Sequence, residues 1–204
     1  MSYLVGISGG SASGKTTFIN KLKEIFEDKE LAVLSMDHYY KPLLHQKLDH
    51  EGKPNFDLLE SIDLIQFLDD LASLKSGKKV LMQEYTFNNP DKIPLEIKIV
   101  PASIIVVEGL FVLQEKQIAE QLDLKLFLDV DEEIRWQRRV ERDSTERGLN
   151  FEEISYQWHN HVKPAYDKYL LPHKGMVDII IVNNYGFEKG MNLVVNYFKS
   201  IIKV

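Results

Sequence analysis

The apolar positions of this chain follow two rhythms. Short runs, apolar at nearly every position, recur at Tyr3–Ser8, Leu31–Met36, Val80–Glu84, Ile97–Val100, Ile104–Glu108, Leu124–Val130 and Ile179–Val182. Each predicts a strand. Ile104-Ile105-Val106-Val107 leaves no polar face, as expected of a parallel strand covered by helices on both sides. Between these runs the apolar residues return every three or four positions, predicting helices over Lys15–Glu27, Ser61–Ser76, Asp131–Glu146, Phe151–Tyr169 and Phe187–Lys203. In the last of these, Leu193, Tyr197 and Ile201 repeat at a spacing of four, with Val194 and Phe198 beside them. Asn150 followed by Glu153 predicts a capping box at the head of the Phe151 helix. The stretch Lys41–Phe56 is polar and reads as a surface loop. No repeat, low-complexity tract or linker interrupts the alternation. The expectation is one α/β domain over residues 1–204, built on a mostly parallel sheet.

Composition narrows the chemistry. At 204 residues, 44% of them hydrophobic, the chain is long enough for a full core. Cysteine is absent, which excludes disulfides, thiolate metal sites and cysteine nucleophiles. No apolar run approaches the roughly 20 residues of a membrane span, and MSYLVGIS has no basic leader, so the expected location is cytoplasmic, with no membrane partner. A formal charge of −6 argues against a nucleic-acid surface.

The segment Gly9-Gly10-Ser11-Ala12-Ser13-Gly14-Lys15-Thr16 fits the pattern G-x-x-x-x-G-K-[ST], with Thr17 following. Glycines let the backbone turn so that successive N–H groups face phosphate oxygens. Lys15 would reach the outer phosphates and the Thr16 hydroxyl a Mg²⁺ ion. A strand precedes the segment and an amphipathic helix succeeds it, which is the context an ATP site requires; the other reading is a Gly-rich turn that binds nothing. Glu108, ending an apolar strand, is the candidate second oxygen partner of the metal, or else a cap on the next helix. Asp37 ends the second strand on the same side of the sheet, where ligands bind. There it could orient an acceptor hydroxyl, or serve as a turn residue. No N-K-x-D motif accompanies the loop, and Asp49-His50-Glu51-Gly52 mimics D-x-x-G inside a polar loop, so a GTPase switch is not indicated.

Arg135, Arg139 and Arg142 fall along one face of a predicted helix, with Arg138 beside them and Arg147 beyond its end. They could form a lid over the phosphates, spanning about 135–149, or pair with Glu132, Glu133, Glu141 and Asp143 at the surface. His159 and His161, two apart on a predicted helix, do not suggest a metal site.

Together these segments resemble the uridine–cytidine kinase family, within the phosphoribulokinase/uridine kinase group. The likeness runs from about Val5 to Asn184. It rests on Gly9–Thr16, Ser35-Met36-Asp37-His38-Tyr39-Tyr40, Asn55-Phe56-Asp57, Tyr85-Thr86-Phe87, Val106-Val107-Glu108-Gly109, Arg138–Asp143 through Glu146-Arg147-Gly148, and Gln157 with Val162-Lys163-Pro164. The resemblance implies a three-layer P-loop fold with a small acceptor-side β element around Val80–Val100 and an arginine lid. It implies ATP and Mg²⁺ as cofactors and a small-molecule nucleoside as partner, and leaves a homo-oligomer open as the assembly. It also implies that Asp37 is catalytic and Glu108 is linked to magnesium. Asp57 would hold the ribose hydroxyls, Arg139 and Gln157 would belong to the nucleoside pocket, Tyr85 would lie beside the base, and Arg142 and Arg147 would meet the phosphates. Without it, Asp57 with Glu60 reads as a helix cap, Tyr85 as a strand aromatic and Gln157 as a solvated helix residue.

Three departures from the family pattern matter. Pro90 replaces a base-reading histidine, and proline offers the base no side-chain donor or acceptor. Leu58-Leu59 replace His-Pro, and Phe56–Glu60 is similar to nicotinamide riboside kinases. Leu149 replaces a lid arginine. The expected reaction is phosphorylation of a ribonucleoside 5′-hydroxyl, with uridine or cytidine first. Nicotinamide riboside or a similar metabolite is the enzymatic alternative, and a nucleotide-binding regulator without turnover is the alternative of another class.

Overall fold

The computed structural model describes residues 2–87 and 92–202. Pro90 and its expected loss of a base contact therefore lie outside the described residues. Five strands form a parallel sheet in the order β2-β5-β1-β6-β7: β1 (Tyr3–Gly9), β2 (Leu31–Ser35), β5 (Ile104–Glu108), β6 (Leu124–Asp129) and β7 (Ile179–Val182). Strands β3 (Val80–Gln83) and β4 (Glu96–Ile99) form a separate antiparallel pair. The seven runs read from hydrophobicity are thus the seven strands observed among the described residues, displaced by at most two residues at their ends.

The alternation along β5 shows why a double-faced apolar run becomes a central strand. Ile104 and Val106 join one core, with Phe18, Ile19 and Leu22 of α1 (Lys15–Ile25) and Met191, Val194 and Phe198 of the C-terminal helix. Ile105 and Val107 face the opposite core, with Phe67, Leu71 and Leu74 of α2 (Leu64–Lys75) and with Val80 and Ile99 of the β3–β4 pair. Successive strand residues point to opposite faces, so one strand supplies both cores. Each fully buried aliphatic or aromatic side chain contributes roughly 1.5–3 kcal/mol of transfer free energy.

The remaining helical segments are α3 (Lys116–Ala119), α4 (Glu132–Glu146), α5 (Phe151–Gln157), α6 (Lys163–Ala165), α7 (Leu171–Lys174) and α8 (Glu188–Ile202). The capping box at α5 is present: Asn150 Oδ1 accepts from the Glu153 N–H at 2.9 Å, and Glu153 accepts from the Asn150 N–H at 3.2 Å. The helix expected from Ser61 begins at Leu64 instead, because the Asp63 side chain caps it through the Gln66 N–H at 3.1 Å. Leu59–Ser61 is a 3₁₀ turn. The helix expected to stop at Tyr169 runs on to residue 174. It passes Pro164, which has no N–H to donate, between two π turns at Trp158–Val162 and Tyr166–Leu170.

Candidate active site

Sheet register assembles the site. Ile7 and Ser35 both lie level with Glu108. The segment that follows β1, the turn that follows β2 and the last residue of β5 therefore emerge at one edge, the carboxyl end where parallel sheets bind ligands. Residues 9–14 curl there into a tight loop, with the Ser13 N–H bonded to Gly10 O at 3.1 Å. Ala12 (φ 62°) and Gly14 (φ 92°) are left-handed, so the backbone turns its N–H groups inward. A Cβ at Gly9 would lie 2.6 Å from Leu128 O and 2.7 Å from Ser13 Oγ, which is why the position demands glycine. Thr16 and Thr17 are exposed in the first turn of α1, and Ser11 and Ala12 are half-buried.

Several donors around this loop are not yet used. Ser13 Oγ is buried without a hydrogen-bond partner, and so is Nη1 of Arg135. The Arg135 guanidinium packs on the Tyr166 ring (4.0 Å) and close to Gly10, where an added Cβ would meet Nη1 at 2.5 Å. Lys15 Nζ bends back onto Gly9 O (2.8 Å) and Gly10 O (3.4 Å). Burial lowers the pKa of Lys15, against the opposing pull of Glu108 and Asp37. An ammonium paired only with neutral carbonyls, at a glycine-rich loop and a helix N-terminus, fits a polyphosphate chemically.

Asp37 is the second residue of a 3₁₀ turn, Met36–Tyr39, directly after β2. Its N–H is held by Ser35 Oγ at 3.2 Å, and the same hydroxyl donates to Glu108 Oε1. Burial pushes the Glu108 carboxyl up to about 7; the Asp37 charge adds to the rise, and Lys15 and Ser35 oppose it. Among the described residues no cluster of three or more His, Asp or Glu could enclose a metal. The donor set at this edge (the Thr16 hydroxyl and the Glu108 carboxylate, with Asp37 near) fits Mg²⁺, which commonly takes one or two protein oxygens and draws the rest from phosphates and water.

The acceptor side is a cluster of aromatic rings. Tyr40 lies 5.8 Å from Phe56, 5.3 Å from Tyr85 and 6.2 Å from Phe87. The Tyr85 N–H reaches His38 Nδ1 at 3.4 Å, tying the end of β3 to the turn that carries Asp37. Asp57, whose N–H is fixed by Asn55 Oδ1 at 2.9 Å, lies in the same region. Burial raises its carboxyl above the ordinary range, while Arg139, His161, Arg147 and Arg142 pull it down. Burial, Asp37 and Asp57 together hold the Tyr40 hydroxyl well above the ordinary tyrosine range, so it stays protonated.

Between these two sides lies a carboxylate whose sequence pattern pointed only to a surface ion pair. Asp143 has no exposed surface and receives three arginines: Arg139 Nε at 3.1 Å, Arg142 Nε at 2.8 Å and Arg147 Nε at 3.5 Å. Arg139 also donates to Ser11 Oγ (2.8 Å) and Gln157 Oε1 (2.9 Å). Arg147 sits 4.8 Å over the Phe87 ring. Arg135 and Arg139 are buried, whereas Arg142 and Arg147 are about one-third exposed. The stripe is thus two buried braces and two outer cations. Arg138 turns elsewhere, onto Asn183 O (2.9 Å) and Asn184 O (3.2 Å).

The loop before Lys15, Asp37 and Glu108 emerge at this edge, Arg139 and Gln157 join it through Ser11, and Tyr85 joins it through His38; Asp143, Ser35 and Asn183 went unmarked as site residues in the sequence. The spacing of Asp143 was a usable signal, four residues from both Arg139 and Arg147. Asn183 had none: its Nδ2 donates to Ser13 O at 2.9 Å across 170 residues, and it fills the space a Cβ at Gly14 would need.

Residues 4–185 match the Phosphoribulokinase / Uridine kinase family. The chain is 32% identical over 198 residues to uridine-cytidine kinase B of Dictyostelium discoideum, covering 97% of this chain and 82% of that one. It is 31% identical over 199 residues to uridine kinase of Staphylococcus aureus (strain JH9), covering 98% and 96%. Phosphoribulokinase from Rhodobacter spheroides shares the fold, with a TM-score of 0.63 at 15% identity over 89% of this chain and 70% of that one. By sequence match over nearly its whole length, and by a P-loop sheet of the same architecture, this chain belongs to the phosphoribulokinase/uridine kinase family.

Proposed function

We propose that the chain is a nucleoside kinase that transfers the γ-phosphate of ATP to the 5′-hydroxyl of uridine or cytidine. One observation carries this reading. A glycine-rich loop, a strand-end carboxylate and an aromatic cluster with its own carboxylate converge at one end of the sheet. The relatives' names, uridine kinase and uridine-cytidine kinase, support the same acceptor class.

Each side chain then has a role in keeping with its surroundings. The amides of residues 9–14 hold phosphate oxygens, and Lys15 exchanges two carbonyls for the outer phosphates, gaining the anionic partner its buried charge lacks. Thr16 and Glu108 would hold Mg²⁺, which when bound neutralises charge on the phosphates. Asp37 orients the acceptor hydroxyl and takes its proton late, because the transition state of phosphoryl transfer is loose. Asp57 accepts from the ribose hydroxyls, and Tyr85 lies beside the base. Arg139 and Gln157, already hydrogen-bonded to each other, complete the nucleoside pocket. Arg142 and Arg147, the outer cations, would leave their contacts with Asp143 to turn toward developing negative charge. Their closure would keep water from competing as acceptor.

The test is ADP release by purified chain with ATP and Mg²⁺ across a panel of acceptors. Uridine or cytidine should stimulate turnover well above the acceptor-free rate. Stimulation only by another ribosyl compound, such as nicotinamide riboside, would reassign the acceptor. Tight ATP binding without turnover on any acceptor would make the chain a nucleotide-dependent binding protein.

A further inference from the structure

Asp57 lies on an irregular segment, residues 41–61, so what fastens that segment decides where the carboxylate points. Most of its hydrogen bonds are internal. The Lys41 N–H bonds Ser61 O, Gln46 Nε2 reaches Lys41 O, the Asn55 N–H bonds Lys47 O, and Ser61 Oγ returns to Asn55 O. None of these sets the segment against the rest of the site.

Two hydrogen bonds between this segment and the helix that follows the arginines meet at one atom, Oδ2 of Asp49. The Tyr156 hydroxyl donates to it at 2.7 Å, and His161 Nε2 lies 2.7 Å from it. The other oxygen, Oδ1, accepts the N–H groups of Glu51 and Lys53, both at 2.9 Å. Lys53 Nζ sits 3.4 Å over the Tyr156 ring and covers the junction. His161 and Asp49 side chains are 3% and 8% exposed, so water competes little for these bonds. Burial pushes the Asp49 carboxyl up, but bonds from Tyr156, the Lys53 N–H, His161 and the Glu51 N–H prevail and hold it below the ordinary range. An ionised carboxylate only accepts, so His161 Nε2 carries the hydrogen.

The helix is deformed where this contact forms. Residues 156 and 161, five apart, point to different faces of a regular α-helix with 3.6 residues per turn. The π turn at Trp158–Val162 widens the spiral, so that both side chains reach the same oxygen and their rings meet edge to face at 5.7 Å. Gln157, bonded to Arg139, lies on the same stretch.

We propose that Asp49, Tyr156 and His161 form a latch that fixes the acceptor segment to the helix carrying Gln157, making His161 a positioning residue for acceptor binding. This rests on the nucleoside-kinase reading, because Asp57 is taken there as the acceptor-binding carboxylate. The latch acts before phosphoryl transfer, so it affects acceptor affinity and leaves the donor side alone.

The experiment compares His161→Leu, His161→Gln, Tyr156→Phe and Asp49→Asn in the full chain, using the acceptor the unaltered chain turns over best. His161→Leu should raise the acceptor KM about tenfold or more, with the ATP KM and kcat within about twofold. Glutamine can still donate to Asp49, so His161→Gln should recover most of that loss. Tyr156→Phe, which removes one hydroxyl, should cost about threefold, and stands in if the leucine variant does not fold. Amide hydrogen exchange over residues 41–61 should accelerate at least tenfold in His161→Leu without any ligand. Unchanged exchange there overturns the latch, as does an ATP KM rising in step with the acceptor KM. If the unaltered chain phosphorylates no ribonucleoside, the nucleoside reading fails by itself, and the exchange measurement still decides the latch.

Discussion

The donor side and the acceptor side of this site are built in different ways. The donor side centres on a single run, Gly9–Thr17, folded by main-chain hydrogen bonds and left-handed turns between a central strand and its helix, with Glu108 at the end of a neighbouring strand and Arg135 and Asn183 packed against it. The acceptor side gathers Asp37, Asp57, Tyr85, Arg139 and Gln157 from five separate segments, several outside the sheet. Side chains hold it together: ring against ring around Tyr40, arginines on Asp143, and donors on Asp49. The difference teaches where such a fold can change. Backbone geometry in a parallel sheet cannot shift without disturbing two cores, whereas side chains on connecting segments can be exchanged singly. The departures at Leu58-Leu59 and Leu149 fall on the acceptor and lid side, as this contrast leads one to expect.

Four substitutions would break or sharpen that contrast. Asp37→Asn, at the boundary, should lower kcat by about 10²–10⁴ with every acceptor while ATP affinity stays within about threefold. Single-turnover kinetics with separate nucleotide titration check this, and near-normal turnover would remove Asp37 from the chemistry. Asp143→Asn should destabilise the chain by about 3 kcal/mol or more, because it leaves the buried Arg139 without its carboxylate. Denaturant unfolding measures it; a loss below about 1 kcal/mol would mean that the two sides are joined elsewhere. Asp57→Ala should raise the acceptor KM about 10- to 100-fold with the ATP KM unchanged, and parallel rises in both would dissolve the separation between the sides.

The smallest effect is a pH dependence on the donor side. Glu108 sits at about 7 in the folded chain against an ordinary 4.5. Between those values the folded chain keeps a proton that the unfolded chain has released, so stability from this group is present at low pH and is lost as pH rises through the window. Glu108→Gln should flatten the decline in nucleotide-free stability from about pH 5 to 8. An unaltered slope in thermal unfolding across that range would mean that another group carries it.

Legibility followed the same division. Apolar rhythm located all seven described strands, because burial on one or both faces of a sheet imposes a local pattern on the residues themselves. The phosphate loop was equally visible, since its glycines, lysine and threonine must be contiguous to curl around one ligand. Asp57, Tyr85 and Gln157 carried no local mark and were proposed only by likeness to a family. Asp143 was marked only by its spacing from Arg139 and Arg147, and Asn183 under Ser13 and Asp49 beneath Tyr156 and His161 carried no mark at all. Their roles depend on which distant segments come to lie beside them.

By itself, then, the amino-acid order determined the strands, the phosphate loop and the carboxylates that end β2 and β5, because each is specified within a few neighbouring residues. The tertiary structure alone decided that Arg139 would reach Ser11, that Asn183 would reach Ser13, and that Asp49 would meet His161 across 112 residues. Such contacts arise from packing of segments far apart in the chain, and no local spacing encodes them.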